Sequence, residues 1–343
     1  MEIGNLISKY DSQNQFEVLI NSYKQIENTW KNKIELESKL SENLNNIIVC
    51  GMGGSAISGD LLADFLGNEI QIPIIVNRDY TLPEFANDKS IVIISSYSGN
   101  TEETLSCFDE AIEKKCKIIA ISTSGQVKEL AKQNKIPWVM LEKGFQPRYA
   151  LGTSFFTLIR ILQELKLIPS QDKIVKEIIA VWKKSGTEYS NNKNEAIKYA
   201  EELIGFIPVI YSSEEFRSVA YRLKCQFNEN SKLHAFHNTI PELNHNEIIG
   251  WETVLEKQFN AKILFILDEE YHPQIMRRFE ITKDLIQKKG VEIIVLKSNE
   301  KNIKVRIMDL IYLCDWITFY LAVLRGYDPS EINYINYLKE HLT

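Results

Sequence analysis

The stretch "IIVCGMGGSAISGD" (Ile47–Asp60) passes from a short apolar run, through a glycine-rich turn, into a segment that reads as a helix over Ile57–Leu66. A strand that feeds a helix through small residues is the building block of a parallel α/β sheet. Working outward, the same pattern recurs. Further β-rich runs fall at Pro73–Val76, Ile91–Ser95, Lys117–Ile121 and Trp138–Leu141, separated by helical spacing at Glu102–Lys114 and Gln126–Gln133. Ahead of Ile47 the periodicity is helical, over roughly Asp11–Thr29 and Lys31–Leu44.

The second half repeats the scheme less regularly. Helices are expected at Phe155–Lys166, Gln171–Lys184, Glu214–Phe227, Gln274–Lys288 and Met308–Leu324. Strands are expected at Phe206–Tyr211, Lys232–Phe236, Ala261–Leu267 and Val291–Leu296. The fold class is therefore α/β with two domains, each a parallel sheet flanked by helices in three layers. The expected division is 1–155, including the leading helices, and 156–343.

Composition limits what such a chain binds. With 343 residues, 44% hydrophobic and 25% charged, it is long enough for two domains. A net charge of -6 with mixed signs speaks against a nucleic-acid or anionic-membrane partner, which calls for a basic stripe. The opening "MEIGNLISKY" lacks the basic and apolar regions of a signal peptide, and no apolar stretch is expected to reach the 18 or so residues of a membrane span. Five cysteines without CxxC spacing suit free thiols. A cytoplasmic protein is expected.

The turns carry the chemistry. "SYSGNTEET" (Ser96–Thr104) follows the run Ile91–Ser95 and opens a helix. Hydroxyls, a glycine and the N–H groups of a helix start together suit a bound anion such as a phosphate. The bland alternative is that Ser96, Ser98 and Thr101 merely cap the helix. The run Gly51–Ala56 also fits the G-x-G-x-x-A dinucleotide fingerprint, with Asp79 near the position of a ribose-binding acid. A second anion-type turn, on the run Ile91–Ser95, lies where a dinucleotide would cross, which favours a compact phosphosugar.

Taken together, "GMGGSAISGD", "SYSGNTEET", "PRYALG" (Pro147–Gly152), "NENSKLHAFHNTIPELNHNE" (Asn228–Glu247) and the terminal "YLKEH" resemble the bifunctional phosphoglucose/phosphomannose isomerases, proteins of two sugar-isomerase (SIS) domains. The first two motifs are common to SIS proteins; the asparagine-flanked glutamate followed sixteen residues later by a histidine is more specific. The resemblance implies interconversion of glucose 6-phosphate or mannose 6-phosphate with fructose 6-phosphate, with no metal and no cofactor. It implies that Ser96, Ser98 and Thr101 bind the phosphate and that Gly53, Gly54 and Ser55 face the sugar. Arg148 would steady the intermediate, Glu229 would be the catalytic base, and His245 and Lys339 would work on the sugar ring and its oxygens. The segment "DPSEINYINYLKEH" departs from the family pattern before Lys339. The resemblance also implies a homodimer in which His245 reaches the neighbouring subunit's site, and Trp316, Phe319 and Tyr320 are expected to serve its interface.

These residue types suit the reaction. Moving a proton between C2 and C1 through a cis-enediol needs one base that takes and returns it, and a fixed positive charge where oxygen charge develops. Two other classes stay open at this stage. A phosphosugar-sensing regulator would carry a DNA-binding module, for which the leading helices show no basic recognition segment. A metal-dependent isomerase would need a ligand cluster, and His237, His245 and Glu247 lack its HxH spacing. His234 is expected to be structural.

Overall fold

The computed structural model describes residues 2–256 and 259–342. Helices α1 (Ile3–Tyr10), α2 (Gln15–Ile20) and α3 (Ser22–Lys31) lead into β1 (Asn46–Cys50), α4 (Gly53–Leu66), β2 (Ile74–Asn77), β3 (Ser90–Ser95), α5 (Glu102–Glu113), β4 (Lys117–Ser122), α6 (Gly125–Gln133) and β5 (Trp138–Met140). Then come α7 (Leu151–Glu164), α8 (Asp172–Tyr189), α9 (Glu195–Glu202), β6 (Ile207–Ser213), α10 (Arg217–Glu229) and β7 (Phe236–Ile240). The chain ends with β8 (Ala261–Ile266), α11 (Pro273–Gln287), β9 (Ile293–Leu296), α12 (Ile303–Leu324) and α13 (Asn333–Leu342).

Two compact units result: Asn21–Ala180, and Met1–Ile20 together with Val181–Thr343. The boundary drawn in the sequence at residue 155 lies within α7, which packs on α3 and α4 of the first unit.

In the first unit the sheet order is β2-β1-β3-β4-β5, all parallel, with Ile47 of β1 level with Ile74 of β2 and Ile91 of β3. Every residue of β1 and β3 is buried, so both faces are covered; this is why these strands read as unbroken apolar runs and do not alternate. The second unit holds a four-stranded parallel sheet, β7-β6-β8-β9, whose β8 is likewise buried throughout.

Some expectations need correction. Lys31–Leu44 is not a helix: only Ile34 and Leu40 are buried in it beyond α3, too little apolar face to dock one, and a short turn at Ser38–Ser41 is what forms. An apolar stretch of membrane-spanning length and composition does occur, in α12. It is the core helix of the second unit, with 89% of that window buried and Asp315 inside it paired to Arg222 at 2.8 Å. Finally, Trp316, Phe319 and Tyr320 are not surface residues. They are at most 1% exposed, and Trp316 meets Phe16 edge-on at 5.5 Å, so α12 uses them to hold α2 within its own unit.

Candidate active site

In the first unit β1 is flanked by β2 on one side and β3 on the other, so the chain leaves these neighbouring strands in opposite directions. Such a switch point opens a crevice beyond the carboxyl ends of the strands, where ligands bind in open α/β sheets. The turns after β1 and β3 both lie there, since Cys50 is in register with Ile94.

The turn after β3 is built by its own hydroxyls. Ser96 Oγ pairs with Thr101 Oγ1 at 2.8 Å and accepts the Gly99 N–H at 3.0 Å, while Ser98 Oγ accepts the Asn100 N–H at 3.3 Å. Asn100 Oδ1 accepts the Gln126 N–H at 2.9 Å and ties the turn to α6. Gly99 has φ +76°, and a Cβ there would lie 1.7 Å from the Ser124 carbonyl oxygen, so no side chain fits. Thr101 occupies the N-cap position of α5 yet makes no side-chain hydrogen bond to the helix. Its hydroxyl faces Ser96 instead, and helix capping does not explain the residue. Ser96 is buried, Thr101 half-buried and Ser98 exposed.

The turn after β1 opens α4 with Gly53 and Gly54, with Ser55 buried behind them. A Cβ on Gly54 would meet the Pro147 carbonyl oxygen at 2.7 Å, so this glycine allows the Pro147–Tyr149 turn to lie directly on the first turn of α4. Arg148 is thereby brought to the same end of the sheet. It is 3% exposed, donates to Gln146 Oε1 at 2.9 Å and lies over the Tyr149 ring. Behind it, Gln25 Nε2 of α3 donates to the Tyr149 carbonyl at 2.8 Å. Asp79 holds its own turn, accepting the Tyr80 N–H at 2.7 Å.

The other three expected residues sit in the second unit on separate elements. Glu229 is the last residue of α10, half-buried, in a loop tied to α12: Asn230 Nδ2 donates to Thr318 Oγ1 at 3.1 Å and Ser231 Oγ to the Thr318 carbonyl at 2.8 Å. Lys232 Nζ closes the loop by donating to the Glu229 carbonyl at 2.8 Å. His245 is exposed on the short turn Glu242–His245 beyond β7. Lys339 is exposed on α13, a helix with no buried residue. Among the described residues no three His, Cys, Asp or Glu side chains are grouped to hold a metal ion.

A separate cleft of about 590 Å³ borders the amino end of β7, lined by Phe236, His237, Trp251, Phe259, Lys224 and Glu247. His237 packs on the Tyr221 ring, and burial, with the charges of Arg217 and Lys224, pulls its pKa below the ordinary histidine value. His234 is exposed ahead of the strand.

Residues 192–342 match the family described as the bacterial phospho-glucose isomerase C-terminal SIS domain. Over 336 residues the chain is 39% identical to the bifunctional phosphoglucose/phosphomannose isomerase of Caldicellulosiruptor bescii, covering 95% of this chain and 98% of that one. The chain belongs to the bifunctional phosphoglucose/phosphomannose isomerase family. The member from Aquifex aeolicus is 38% identical over 298 residues, 86% of this chain and 90% of the relative. Among solved structures, the C-terminal domain of glucosamine-fructose-6-phosphate aminotransferase from Francisella tularensis superposes with a TM-score of 0.69 over 92% of this chain and 97% of its own, at 15% identity, and so shares the SIS fold.

Within this isomerase fold, one group of side chains escaped the sequence reading. Tyr211, Asn238, Glu247 and Trp251 form a hydrogen-bonded chain beneath the His245 turn. In the sequence Glu247 stands out only as a metal-ligand candidate, because its partner Tyr211 lies 36 residues before it.

Proposed function

We propose that this aldose–ketose isomerase converts glucose 6-phosphate and mannose 6-phosphate to fructose 6-phosphate and back, with the residues in the roles that the family implies. The observation that carries the phosphate assignment is the meeting, at the switch point of one sheet, of the hydroxyl-built Ser96–Thr101 turn, the Gly53–Ser55 turn and Arg148. Ser96, Ser98 and Thr101 hold the phosphate through hydroxyls and N–H groups. Gly53, Gly54 and Ser55 face the sugar.

Glu229 takes the proton from C2 and returns it to C1, while the permanently charged Arg148 guanidinium stabilises the oxygen charge of the cis-enediolate. His245 and Lys339 share the proton movements of ring opening, one group protonating the ring oxygen as the other relieves O1 of its proton. Both epimers give the same enediol once C2 has lost its proton, so one base serves both.

The leading helices support an enzyme over a regulator. α1 and α2 pack on α12, and α3 on α7, which leaves no separate DNA-reading module among them. The free cysteines support a reducing, cytoplasmic setting. No nucleic-acid or membrane partner is proposed. A homodimer is, with His245 supplied in trans: its exposure on a surface turn fits that role, and α13 presents Tyr334, Tyr337 and Leu338 to solvent, while the aromatic rings of α12 are spent inside the unit.

The decisive experiment incubates the protein with fructose 6-phosphate and separates the products, with an NAD(P) reduction control. Glucose 6-phosphate and mannose 6-phosphate are expected; reduction of the nicotinamide, or no turnover, overturns the reading. For the shared site, Glu229→Gln and His245→Ala are mixed after each is purified. Regain of activity is expected, and none sinks the trans arrangement.

A further inference from the structure

His245 has no side-chain partner among the described residues, so its direction is set by the backbone that carries it. That backbone is held on both sides. Before it, Leu243 is fully buried, and Asn244 Nδ2 donates to Thr282 Oγ1 of α11 at 2.9 Å. After it, the Asn246 amide donates to Glu242 Oε1 at 2.7 Å across the turn, and its oxygen accepts the Glu247 N–H at 2.6 Å.

Glu247 is the stronger anchor. One carboxylate oxygen accepts from the Tyr211 hydroxyl at 2.5 Å and the other from Asn238 Nδ2 at 2.6 Å. With one donor on each oxygen, both the position and the rotation of the group are fixed. Tyr211 is fully buried on β6 and itself accepts the Trp251 indole N–H at 2.9 Å; Asn238 lies on β7, the neighbouring strand. The anchor is therefore built on the sheet. Burial, then the Glu247 charge, pushes the Tyr211 phenol far above its ordinary pKa, so it stays a proton donor throughout the working range.

We propose that Glu247, clamped by Tyr211 and Asn238, is a positioning residue for His245: it pins the backbone two residues beyond the imidazole to the sheet and so fixes where the imidazole meets the sugar. This rests on the role proposed above for His245. A carboxylate suits the task because its two oxygens take two neutral donors at once, and charge-assisted hydrogen bonds of this kind are shorter and stronger than neutral ones. A glutamine in its place is uncharged and offers a single acceptor oxygen where two donors point, so the charge-assisted pair is lost. Misplacing a reacting group by an ångström costs about a hundredfold in rate.

The test combines Glu247→Gln, Tyr211→Phe and His245→Ala, assayed in both directions, with thermal melts to confirm folding. Glu247→Gln and Tyr211→Phe are each expected to lower kcat by about 10- to 100-fold, with KM within about twofold because the phosphate turn lies in the other unit. Placed in the His245→Ala background, Glu247→Gln is expected to cost nothing further, since a positioning residue has no effect once the group it positions is gone. Should Glu247→Gln not fold, Tyr211→Phe, which keeps the buried ring, carries the same cycle. If His245→Ala is fully active, the role of His245 fails and the positioning inference with it. If His245→Ala is impaired while Glu247→Gln and Tyr211→Phe match wild type, or if the losses multiply in the double variant, the positioning inference alone fails.

Discussion

In the first unit the turns at the end of the sheet are seated by close backbone approach, Gly54 beneath Pro147 and Gly99 beneath Ser124, and their side-chain bonds stay local, within Ser96–Thr101 and from Asn100 to the start of α6. In the second, the turns beyond α10 and β7 are held by side chains: Asn230 and Ser231 on Thr318, Asn244 on Thr282, Glu247 on Tyr211 and Asn238. The first arrangement leaves hydroxyls and N–H groups in a rigid cradle, suited to a phosphate, which needs donors more than it needs proton exchange. The second leaves a carboxylate and an imidazole on turns whose neighbours are anchored by hydrogen bonds from neutral donors. Binding and proton transfer are thus assigned to differently built parts of one chain, and substitutions on the two sides are expected to change different constants.

Glu229→Gln gives the largest expected effect. It keeps the shape of the side chain and removes the proposed base, so kcat is expected to fall by about 10²- to 10⁴-fold on glucose 6-phosphate and mannose 6-phosphate alike. Sugar-phosphate binding, measured by calorimetry, persists because the cradle is untouched. Near-normal conversion of either epimer would end the common-base reading.

Gly54→Ala strikes the backbone-built side. Its Cβ would lie 2.7 Å from the Pro147 carbonyl oxygen, so the turn carrying Arg148 must shift. A displacement near an ångström lowers kcat/KM by about a hundredfold. Unchanged kcat/KM in a folded Gly54→Ala variant would show that the Pro147 contact does not set the site.

Ser98→Asp comes next. The residue is exposed, so the fold tolerates the change, but a carboxylate repels the phosphate and removes a donor worth about 1.5–3 kcal/mol to a charged partner, or roughly 10- to 100-fold in KM. An unchanged KM would remove Ser98 from the phosphate seat and break the assignment of binding to the first unit.

What the sequence made legible follows the same divide. β1, β3 and their turns could be read because every determinant is local: apolar runs buried on both faces, then glycine and hydroxyls within a few residues. The second unit was harder. Its edge strand is Phe236–Ile240, not Lys232–Phe236, because Asn230 and Ser231 tie the loop after α10 to Thr318, Lys232 ties it to the Asp328 carbonyl, and Lys232 takes a φ of +51°. Helix α9 was missed although Asn194 caps it in the usual way, accepting the Ile197 N–H at 2.9 Å; its eight residues are too few for periodicity to stand out. The Glu247 anchor was invisible for a similar reason, since Tyr211 stands 36 residues away and no local pattern links the two.

The smallest effect tests how the second unit treats the carboxylates of α12, away from the site: Asp315, buried, and Asp309, half-buried. Asp315 is held by the Arg222 guanidinium at 2.8 Å, whereas Asp309, also on α12, has the Ser298 hydroxyl at 2.6 Å. Desolvation is the main influence on Asp309 and raises its pKa, with Ser298 opposing and the charge of Glu300 adding to the rise. A carboxyl whose folded pKa lies above its unfolded one, about 3.9, contributes stability that is complete below the unfolded value and lost as pH rises through the folded value. At neutral pH the ionised group is therefore a net cost to the fold. Asp309→Asn keeps an acceptor for Ser298 and never ionises. It is expected to raise Tm at pH 7.5 by a few degrees at most, about what 1 kcal/mol gives a unit of this size, and to give no gain at pH 3.5, where the native carboxyl is already protonated. A lower Tm at pH 7.5 would show that the Asp309 charge is compensated in the folded unit and that desolvation does not dominate it.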